Sequence, residues 1–380
     1  MNFKSVAVGF FKLGKRKVPE TEVSQLDRKN KNAKFSFSLY GLVTFSLLGS
    51  VAGINWLIDP LWYAHGNILT GKNFAFNERI TKTNLFLRTK NQVSYDCIIL
   101  GSSRTTALRK SEFTSNNCFN YALKGAVIQD FVSYANFLKS QGIDPDIVYI
   151  GIDGFNFVEQ ERKEQQPITV QSLQTKSPLE AYLSADVLLF SAMTLLGVSP
   201  DPGNFYDQNF EPVDFATPPT YDPKFYNSSG LQKCDLFAVE TFASLKEFFP
   251  NAKFVAYVPP RSAWSIINDT YERGLMDCYL SAFHKLSQRF DAMYDFSIPS
   301  EVTKNPENTY DGSHYSVKVN NRIAKILQGE SDDTFGVRVD RYNFDDYRAI
   351  YQQQLREFLA ENDQLKRWDN RPEIVIDLVQ

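Results

Sequence analysis

Hydrophobic positions along this chain first form one long uninterrupted stretch and then a series of short runs separated by polar residues. Residues 35–58 contain no charged side chain. As an α-helix they would rise about 36 Å, at about 1.5 Å per residue, which is enough to cross a hydrocarbon layer of about 30 Å. We therefore predict a transmembrane helix over 35–58, so that a lipid bilayer is one partner of the chain.

Two other interpretations of this stretch stay open, namely a buried core helix and a cleaved signal peptide. Ser50-Val51-Ala52 resembles a small-x-small cleavage site. A charged segment of 34 residues is long for a signal peptide, however, and the apolar stretch continues past that site. Gly49 and Gly53 form a GxxxG pair, a spacing at which transmembrane helices pack together, which leaves membrane-protein partners open.

The rest of the chain alternates short apolar runs with stretches of helical periodicity. The runs predict strands at Cys97–Leu100, Phe119–Tyr121, Ile147–Ile152, Phe254–Val258 and Ala292–Phe296, and the stretches predict helices over 128–140, 236–249, 272–289 and 316–327. Such alternation is typical of a parallel sheet covered by helices on both faces. We predict an α/β fold of three layers, α/β/α, preceded by the transmembrane helix.

This pattern divides the chain into five parts. A basic tail (1–34) and the transmembrane helix (35–58) are followed by a collar (59–95), an α/β domain (96–330) and a C-terminal helical tail (331–380). Residues 155–233 are rich in Pro, Gln and Asp, with one helix near 178–196, so we interpret them as an insertion in the domain.

Charge is distributed unevenly and indicates an orientation. Residues 1–34 carry nine Lys or Arg and three Asp or Glu, a net +6, so the remainder carries −9. A basic segment before a transmembrane helix usually stays in the cytoplasm. We expect residues 59–380 to lie outside the cytoplasm, in the periplasm or the equivalent space. The acidic body argues against a nucleic-acid partner.

The four cysteines all lie in the part expected outside the cytoplasm. They allow three full disulfide pairings, among which the sequence does not choose. Cys97, inside a predicted strand, is interpreted as a small buried hydrophobic residue. No CxxC motif or His/Cys cluster indicates a metal, and no glycine-rich fingerprint indicates a nucleotide, so we expect neither a metal nor a cofactor.

Two distant motifs suggest nucleophilic chemistry. Gly101-Ser102-Ser103 follows the first predicted strand, and a following helix would place Ser103 at the carboxyl edge of the sheet. Asp311 and His314 precede the last predicted helix of the domain. A serine hydroxyl needs a histidine to accept its proton and a carboxylate to orient that histidine. Taken alone, each motif is equally well explained as an ordinary turn.

His65 and His284, the other two histidines, are better explained as structural. Arg79 and Lys82 in the collar are further side chains that could face the site. Val258-Pro259-Pro260-Arg261 ends the fourth predicted strand, and its two prolines would rigidify a loop at the same edge of the sheet.

In their order, these motifs resemble the SGNH (GDSL-like) hydrolase superfamily. Serine comes after the first strand, Gly125 after the second, Gly151-Ile152-Asp153 at the third, and the Asp/His pair last. The chain is most similar to the membrane-anchored extracytoplasmic branch, related to alginate-type O-acetylation proteins and D-alanyl-lipoteichoic acid proteins. The resemblance covers roughly residues 95–328 and implies a flavodoxin-like parallel sheet.

The resemblance also implies roles for individual residues. Ser103 matches the nucleophile, His314 the general base and Asp311 its orienting carboxylate, while the backbone N–H groups of Ser103 and Gly125 match the oxyanion donors. The implied activity is that of a membrane-anchored serine esterase or O-acyltransferase, which acts on acylated glycans or envelope polymers through an acyl-serine. The alternative is a catalytically inactive envelope scaffold or glycan-binding protein.

At the third block the chain departs from the family pattern Gly-x-Asn-Asp, since an aspartate, Asp153, stands where an asparagine is expected. An ionised carboxylate would repel an oxyanion. Four interpretations follow: Asp153 is protonated by burial, Asn156 replaces the missing amide, Asp153 binds Arg104 or a sugar hydroxyl, or the domain has lost efficient turnover. Arg104 itself would pair with Asp153, hold an acidic substrate, or begin a surface helix.

Overall fold

The computed structural model describes residues 20–159, 168–170, 177–199, 205–213, 221–228 and 230–369. The start of the predicted basic tail, parts of the predicted insertion and the end of the predicted C-terminal tail lie outside the described residues.

The first described element is a single long helix, α1 (Glu20–Ile58). Within it, residues Lys31–Ile58 are long and apolar enough to cross a membrane, with a mean hydropathy of 1.7 in an 18-residue window of which no residue is buried. The structure thus confirms one N-terminal apolar helix, which extends further toward the N-terminus than the predicted 35–58.

The centre of the molecule is a six-stranded, mostly parallel sheet. Its strands lie in the order β3, β2, β4, β6, β7, β8, and only β8 runs antiparallel to its neighbour. The strands are β2 Cys97–Leu100, β3 Cys118–Asn120, β4 Ile147–Gly151, β6 Lys253–Val258, β7 Ala292–Asp295 and β8 Val337–Arg338. The five predicted strands are confirmed, the first with its predicted bounds and the others with bounds that shift by one residue. The five predicted strands run parallel, as expected, and the sheet also contains β8, an antiparallel edge strand of two residues that is too short to show a pattern in the sequence.

Ten helices follow α1 in the described part of the chain. They are α2 Glu78–Thr89, α3 Ile128–Ser140, α4 Pro178–Tyr182, α5 Ala185–Leu196, α6 Phe237–Ala243, α7 Ala263–Ile266, α8 Met276–Ser287, α9 Val317–Leu327, α10 Phe344–Glu361 and α11 Lys366–Asp369. The predicted helix over 128–140 is confirmed, and the helix predicted over 316–327 is observed as α9, with Ser316 as its N-cap.

Three predicted helices differ in detail from the observed ones. The predicted helix over 178–196 is interrupted at Leu183 and Ser184, where the Ser184 backbone is extended. The helix predicted over 236–249 continues after Ala243 as a 3₁₀ turn. The helix predicted over 272–289 starts only at Met276, because a π-helical turn precedes it.

Both faces of the central sheet are buried. Ile98 and Leu100 of β2 belong to one hydrophobic cluster, whereas Cys97 and Ile99 belong to another. Successive side chains of a strand point to opposite faces, so each cluster covers one face. Phe131 of α3, Phe283 of α8 and Tyr347 of α10 extend the first cluster, and Ile323 of α9 extends the second.

Residues 59–95, expected as a collar, fold into the domain. Trp62 and Phe86 are fully buried in the first hydrophobic cluster. The segment contains α2 and β1 (Lys72–Phe74), which pairs antiparallel with β5 (Phe205–Asp207) from the predicted insertion. Two segments that look separate in the sequence therefore form one small second sheet.

The four cysteines form two disulfides, Cys97–Cys118 and Cys234–Cys278. The interpretation of Cys97 as a small hydrophobic residue is wrong in part, since the residue is buried but covalently paired. Cys97 and Cys118 are register partners on the neighbouring strands β2 and β3. Sequence spacing does not reveal such a neighbour, because it depends on which strands are adjacent.

Candidate active site

The candidate site lies at the carboxyl edge of the sheet, where four parallel strands end. Ser103 follows β2, Gly125 follows β3, Asp153 follows β4 and Arg261 follows β6. Ligands bind at this edge in open α/β sheets. Because these strands run parallel, their carboxyl ends meet at one edge of the sheet, and motifs that are far apart in the sequence lie together there.

A close approach of backbone and side chain shapes the turn that carries Ser103. A Cβ on Gly101 would lie 2.3 Å from Thr105 Oγ1, and a Cβ on Gly151 would lie 2.0 Å from the same atom. Glycine is therefore required at both strand ends, and Thr105 fills the space between them while accepting a hydrogen bond of 2.9 Å from Tyr257 Oη. Residues 103–107 form successive turns rather than the helix that we predicted after Ser103.

Asp311 and His314 lie in a tight loop before α9. His314 O accepts hydrogen bonds from Tyr310 N and Thr309 Oγ1, both at 2.9 Å, which hold the loop closed. Gly312 at the tip has φ +88°, a left-handed conformation that favours glycine. The loop thus fixes the histidine backbone before any side-chain contact is made.

The side chains of Ser103, His314 and Asp311 form a continuous hydrogen-bonded chain. His314 Nε2 lies 2.9 Å from Ser103 Oγ, and His314 Nδ1 lies 2.7 Å from Asp311 Oδ2. The second carboxylate oxygen, Asp311 Oδ1, accepts the backbone N–H groups of Ser313 and His314 at 2.8 Å. The two distant sequence motifs are therefore in contact, with the carboxylate behind the imidazole.

Electrostatics keep the Asp311 carboxylate ionised. Burial alone would raise its pKa, but the hydrogen bond and charge interaction with His314, together with the backbone N–H groups, hold the pKa of Asp311 well below its usual value. An ionised Asp311 accepts the Nδ1 proton, which leaves Nε2 free to accept a proton from the Ser103 hydroxyl. The arrangement is chemically suited to activating this serine.

Gly125 is held close to the serine turn by the backbone. Leu123 N donates to Gly101 O at 2.9 Å, so the loop after β3 is bound to the strand end that precedes Ser103. Gly125 has φ +63°, and neither its N–H nor that of Ser103 donates to another described residue. Both N–H groups are available to a ligand.

Three residues of α2 bind the loop that carries Gly125. Glu78 Oε2 accepts Lys124 N at 2.6 Å, Arg79 Nη1 donates to Lys124 O at 2.9 Å, and Lys82 Nζ donates to Ala122 O. Glu78 and Lys82 are both buried, and Lys82 Nζ lies 3.7 Å from Glu78 Oε1. Burial lowers the pKa of Lys82, although the negative charge of Glu78 acts to raise it.

We expected Arg79 and Lys82 to face the site, whereas they act on its loop backbone. The role of Glu78 was not predicted. Its spacing of four residues from Lys82 was the available signal, because such residues lie on one side of a helix.

Asp153 forms an ion pair with Arg104. Arg104 Nη1 lies 2.8 Å from Asp153 Oδ1, and the Asp153 side chain is completely buried. Asp153 Oδ2 is buried without a hydrogen-bond partner among the described residues. Of the interpretations considered for Asp153, the structure supports pairing with Arg104. Arg104 is largely buried in a turn, so it does not begin a surface helix.

Asn156 does not replace the missing asparagine as an open amide. Its Nδ2 donates to Asp153 O at 3.1 Å, and its Oδ1 accepts Ile128 N, at the start of α3, at 3.1 Å. The residue is buried and connects the loop after β4 to α3. Its role in the described structure is to position these two segments.

Arg261 lies beside the Arg104–Asp153 pair. It donates to Asp269 Oδ2 at 3.1 Å and to Thr270 Oγ1 at 3.2 Å. Burial, and secondarily the Arg104 charge, lower the pKa of Arg261. Arg104 and Arg261 line one small cavity of about 20 Å³. A larger groove of about 640 Å³, lined by Arg109 and Glu211 among others, includes none of the Ser103, His314 and Asp311 side chains.

The remaining histidines contact backbone carbonyls. His65 Nδ1 lies 2.6 Å from Gly66 O, and His284 Nε2 lies 3.2 Å from Tyr342 O. Within the described ranges, no group of three or more His, Cys, Asp or Glu residues has an arrangement that could hold a metal ion. No protein-family model matches the chain, and no curated protein matches it either.

Proposed function

We propose that this chain is a membrane-anchored serine esterase or O-acyltransferase that acts on acylated glycans or envelope polymers. The observation that carries the proposal is the hydrogen-bonded chain from Ser103 Oγ through His314 to Asp311, with distances of 2.9 and 2.7 Å. The first distance is within the reach of a nucleophile and its general base, and the second is within the reach of that base and an orienting carboxylate.

In the proposed mechanism, Ser103 Oγ attacks the carbonyl carbon of an ester while His314 Nε2 takes the hydroxyl proton. The oxyanion accepts hydrogen bonds from the N–H groups of Ser103 and Gly125, each worth about 3–4 kcal/mol in the transition state. His314 then gives its proton to the departing alkoxide, and an acyl-serine remains. Water or a sugar hydroxyl attacks this ester, His314 takes the new proton, and Ser103 leaves with it.

The Arg104–Asp153 ion pair makes this chemistry compatible with an aspartate at the third block. An isolated carboxylate would repel the oxyanion, but a guanidinium at 2.8 Å compensates its charge. We infer that the pair takes the structural place of the family's asparagine, without supplying its hydrogen-bond donor.

We propose that the chain belongs to the SGNH superfamily, and the strand order of its sheet and the sequence order of its motifs support this proposal. Taken in sequence order, the five parallel strands of the central sheet lie in the spatial order 2-1-3-4-5, which is the flavodoxin-like order. Hydrophobic clusters on both faces are compatible with a three-layer α/β/α arrangement.

We further propose that the N-terminus is cytoplasmic and that the α/β domain lies outside the cytoplasm. The basic residues in 1–34, before the charge-free stretch 35–58, support this orientation. The two disulfides support it as well, since disulfides persist mainly in oxidising compartments. An external domain would meet envelope polymers rather than cytoplasmic substrates.

A catalytically inactive scaffold or glycan-binding protein is the second candidate. It is favoured by one observation, namely that Asp153 presents an acceptor where the family pattern has an amide donor. One experiment separates the two candidates.

The full-length protein in detergent is treated with a fluorophosphonate probe and, in parallel, with p-nitrophenyl acetate. We expect covalent labelling and ester hydrolysis, both abolished by Ser103→Ala and both retained in Ser140→Ala, which changes an exposed serine at the end of α3. Unchanged labelling of Ser103→Ala would contradict the nucleophile assignment. If the native chain shows neither labelling nor ester hydrolysis but binds glycans, the inactive scaffold or glycan-binding protein would be favoured. Adding a sugar acceptor and detecting a new ester would identify a transferase.

A further inference from the structure

The helix α5 has a reversed distribution of polar and apolar side chains. Its buried positions include Ser191 and Thr194, which donate to Asn55 Oδ1 at 3.0 Å and to Asn73 Oδ1 at 3.3 Å. Surface helices of proteins in water bury their apolar side and expose their polar side. Here the hydroxyl groups face the protein.

The exposed side of the same segment is apolar. Leu196 is 76% exposed and Leu189 is 58% exposed. The other exposed apolar residues of the segment are Leu179, Leu183, Leu195 and Val198. Asp186, in the first turn, is the only charged residue in α5, and Glu180 in α4 is the other charged residue between Leu179 and Val198. We call this surface, from Leu179 to Val198, the apolar face. Contiguous exposed apolar surface marks an interaction site.

The apolar face adjoins the end of the membrane helix. Asn55 lies in the last turn of α1 and is fully buried. Its Nδ2 donates to Tyr182 O at 2.8 Å and to Ser184 O at 3.1 Å. Both α4 and α5 pack on α1. The apolar face therefore adjoins the exposed surface of a helix that is long and apolar enough to cross a membrane.

Distances along α1 locate the apolar face relative to the bilayer. Crossing the hydrocarbon layer takes about 20 residues. Counted from residue 35, where the charge-free stretch begins, this places Asn55 at the boundary between hydrocarbon and headgroups. With 12 residues, α5 is about 18 Å long, too short to cross the layer itself. At this depth, so short a helix covers its exposed apolar side with lipid when it lies along the boundary between headgroups and acyl chains.

We propose that the apolar face is a second membrane-binding element, whose partner is the lipid of the leaflet in which α1 ends. Leu189 and Leu196 enter the boundary between headgroups and acyl chains, while Ser191 and Thr194 stay hydrogen-bonded to the protein. The domain is then attached at two places rather than by one flexible tether. This inference rests on α1 crossing the membrane and is independent of the catalytic proposal.

Attachment at two places would also orient the candidate active site. Thr194 bonds to Asn73 in β1, β1 leads into α2, and Glu78 of α2 bonds to the loop that carries Gly125. The membrane and the carboxyl edge of the sheet are thus connected through a short series of ordered elements.

The test uses the full chain in nanodiscs that hold one copy each. Leu189→Cys and Leu196→Cys are labelled with an environment-sensitive fluorophore, and Leu365→Cys, an exposed apolar position after α10, is the matched control. The four native cysteines form disulfides, so only the introduced thiol reacts. All three positions are exposed, so labelling does not disturb packing, and near-UV circular dichroism verifies the fold.

We expect quenching by doxyl lipids to be at least about twofold stronger at positions 189 and 196 than at 365, with weaker quenching by aqueous iodide. Equal iodide quenching at all three positions, without doxyl quenching, would overturn the proposal. Because each disc holds a single copy and no other protein apart from its scaffold belt, that outcome would instead point to a protein partner or to a second copy as the occupant of the apolar face.

Discussion

The buried ion pair between Arg104 and Asp153 allows a quantitative test of how this site is stabilised. Replacing Arg104 with Met removes the guanidinium but keeps most of the side-chain volume. Asp153, whose side chain is completely buried, would then be left as an uncompensated charge. Asp153→Asn removes the opposite charge, and the double variant removes both.

The magnitude follows from the geometry. With a nitrogen–oxygen distance of 2.8 Å, the two charge centres lie roughly 4 Å apart, which corresponds to about 4 kcal/mol of attraction at an effective dielectric constant of about 20. Leaving one partner buried and unpaired typically costs about 3–5 kcal/mol. We expect Arg104→Met to lower the free energy of unfolding by about 3 kcal/mol. The double variant should lose about 2 kcal/mol less than the sum of the two single variants.

The free energy of unfolding is measured for the full chain in detergent by urea titration followed by circular dichroism. The matched control is the exposed pair Arg289–Glu240, whose nitrogen–oxygen distance of 3.1 Å is similar. Solvent screens that pair, so its coupling should stay below about 1 kcal/mol. A coupling for Arg104–Asp153 no larger than that of the control pair would refute the idea that charge compensation holds Asp153 in place.

Activity supplies a second measurement on the same variants. Arg104→Met leaves an uncompensated carboxylate next to the proposed oxyanion position, so we expect kcat to fall by at least about 100-fold, whereas Asp153→Asn should change kcat by less than about tenfold. A fall in kcat for Asp153→Asn as large as that for Arg104→Met would assign the carboxylate a direct role in the reaction.

Three further predictions concern charge, pH and covalent constraint. Asp311→Asn should lower kcat of ester hydrolysis by about 10³–10⁴-fold with little change in KM, and a smaller loss than tenfold would contradict its orienting role. Burial raises the pKa of Glu211 to about 7 from 4.5, so the folded state binds this proton more tightly and stability falls, by up to about 3 kcal/mol, as pH rises from about 4.5 to 7. In Glu211→Gln, the free energy of unfolding, measured by urea titration, should depend less on pH over this range. An unchanged slope would show that Glu211 is not the source of the pH dependence. Replacing Cys97 and Cys118 together with Ala opens a loop with a sequence separation of 21 and should cost about 3 kcal/mol, whereas unfolding at the same urea concentration as the native chain would argue against this disulfide.

Sequence patterns predicted those features that depend on local periodicity or on strand order. The apolar run ending at Leu100 and the helical pattern before residue 140 are local, and the structure has β2 and α3 there. The contact between Ser103 and His314 was predictable for a different reason. Parallel strands bring their carboxyl ends to one edge, so the order of the motifs already restricted their location.

Features set by tertiary neighbours were not predictable in the same way. Each interpretation of Asp153 was consistent with the sequence, and only the position of Arg104 in the structure shows that the two side chains pair. The disulfide of Cys97 depends on the adjacency of β2 and β3. The role of α2 depends on Glu78 reaching the backbone of Lys124, 46 residues away in the chain.

The distribution of polar and apolar side chains on α5 shows most clearly that one local sequence pattern is compatible with different environments in the fold. The run Ala185–Leu196 is rich in apolar residues, and such a run is equally typical of a core helix. A core helix would bury Leu189 and Leu196 and leave Ser191 and Thr194 toward water. The structure has the opposite, because Asn55 and Asn73 provide hydrogen-bond acceptors for the two hydroxyl groups. Since Asn55 belongs to α1 and Asn73 to the strand that leads to α2, the same two amides that turn the leucines outward also connect the N-terminal apolar helix to the elements that hold the loop beside Ser103. The proposed membrane attachment and the proposed orientation of the candidate site would therefore both depend on one set of buried polar contacts.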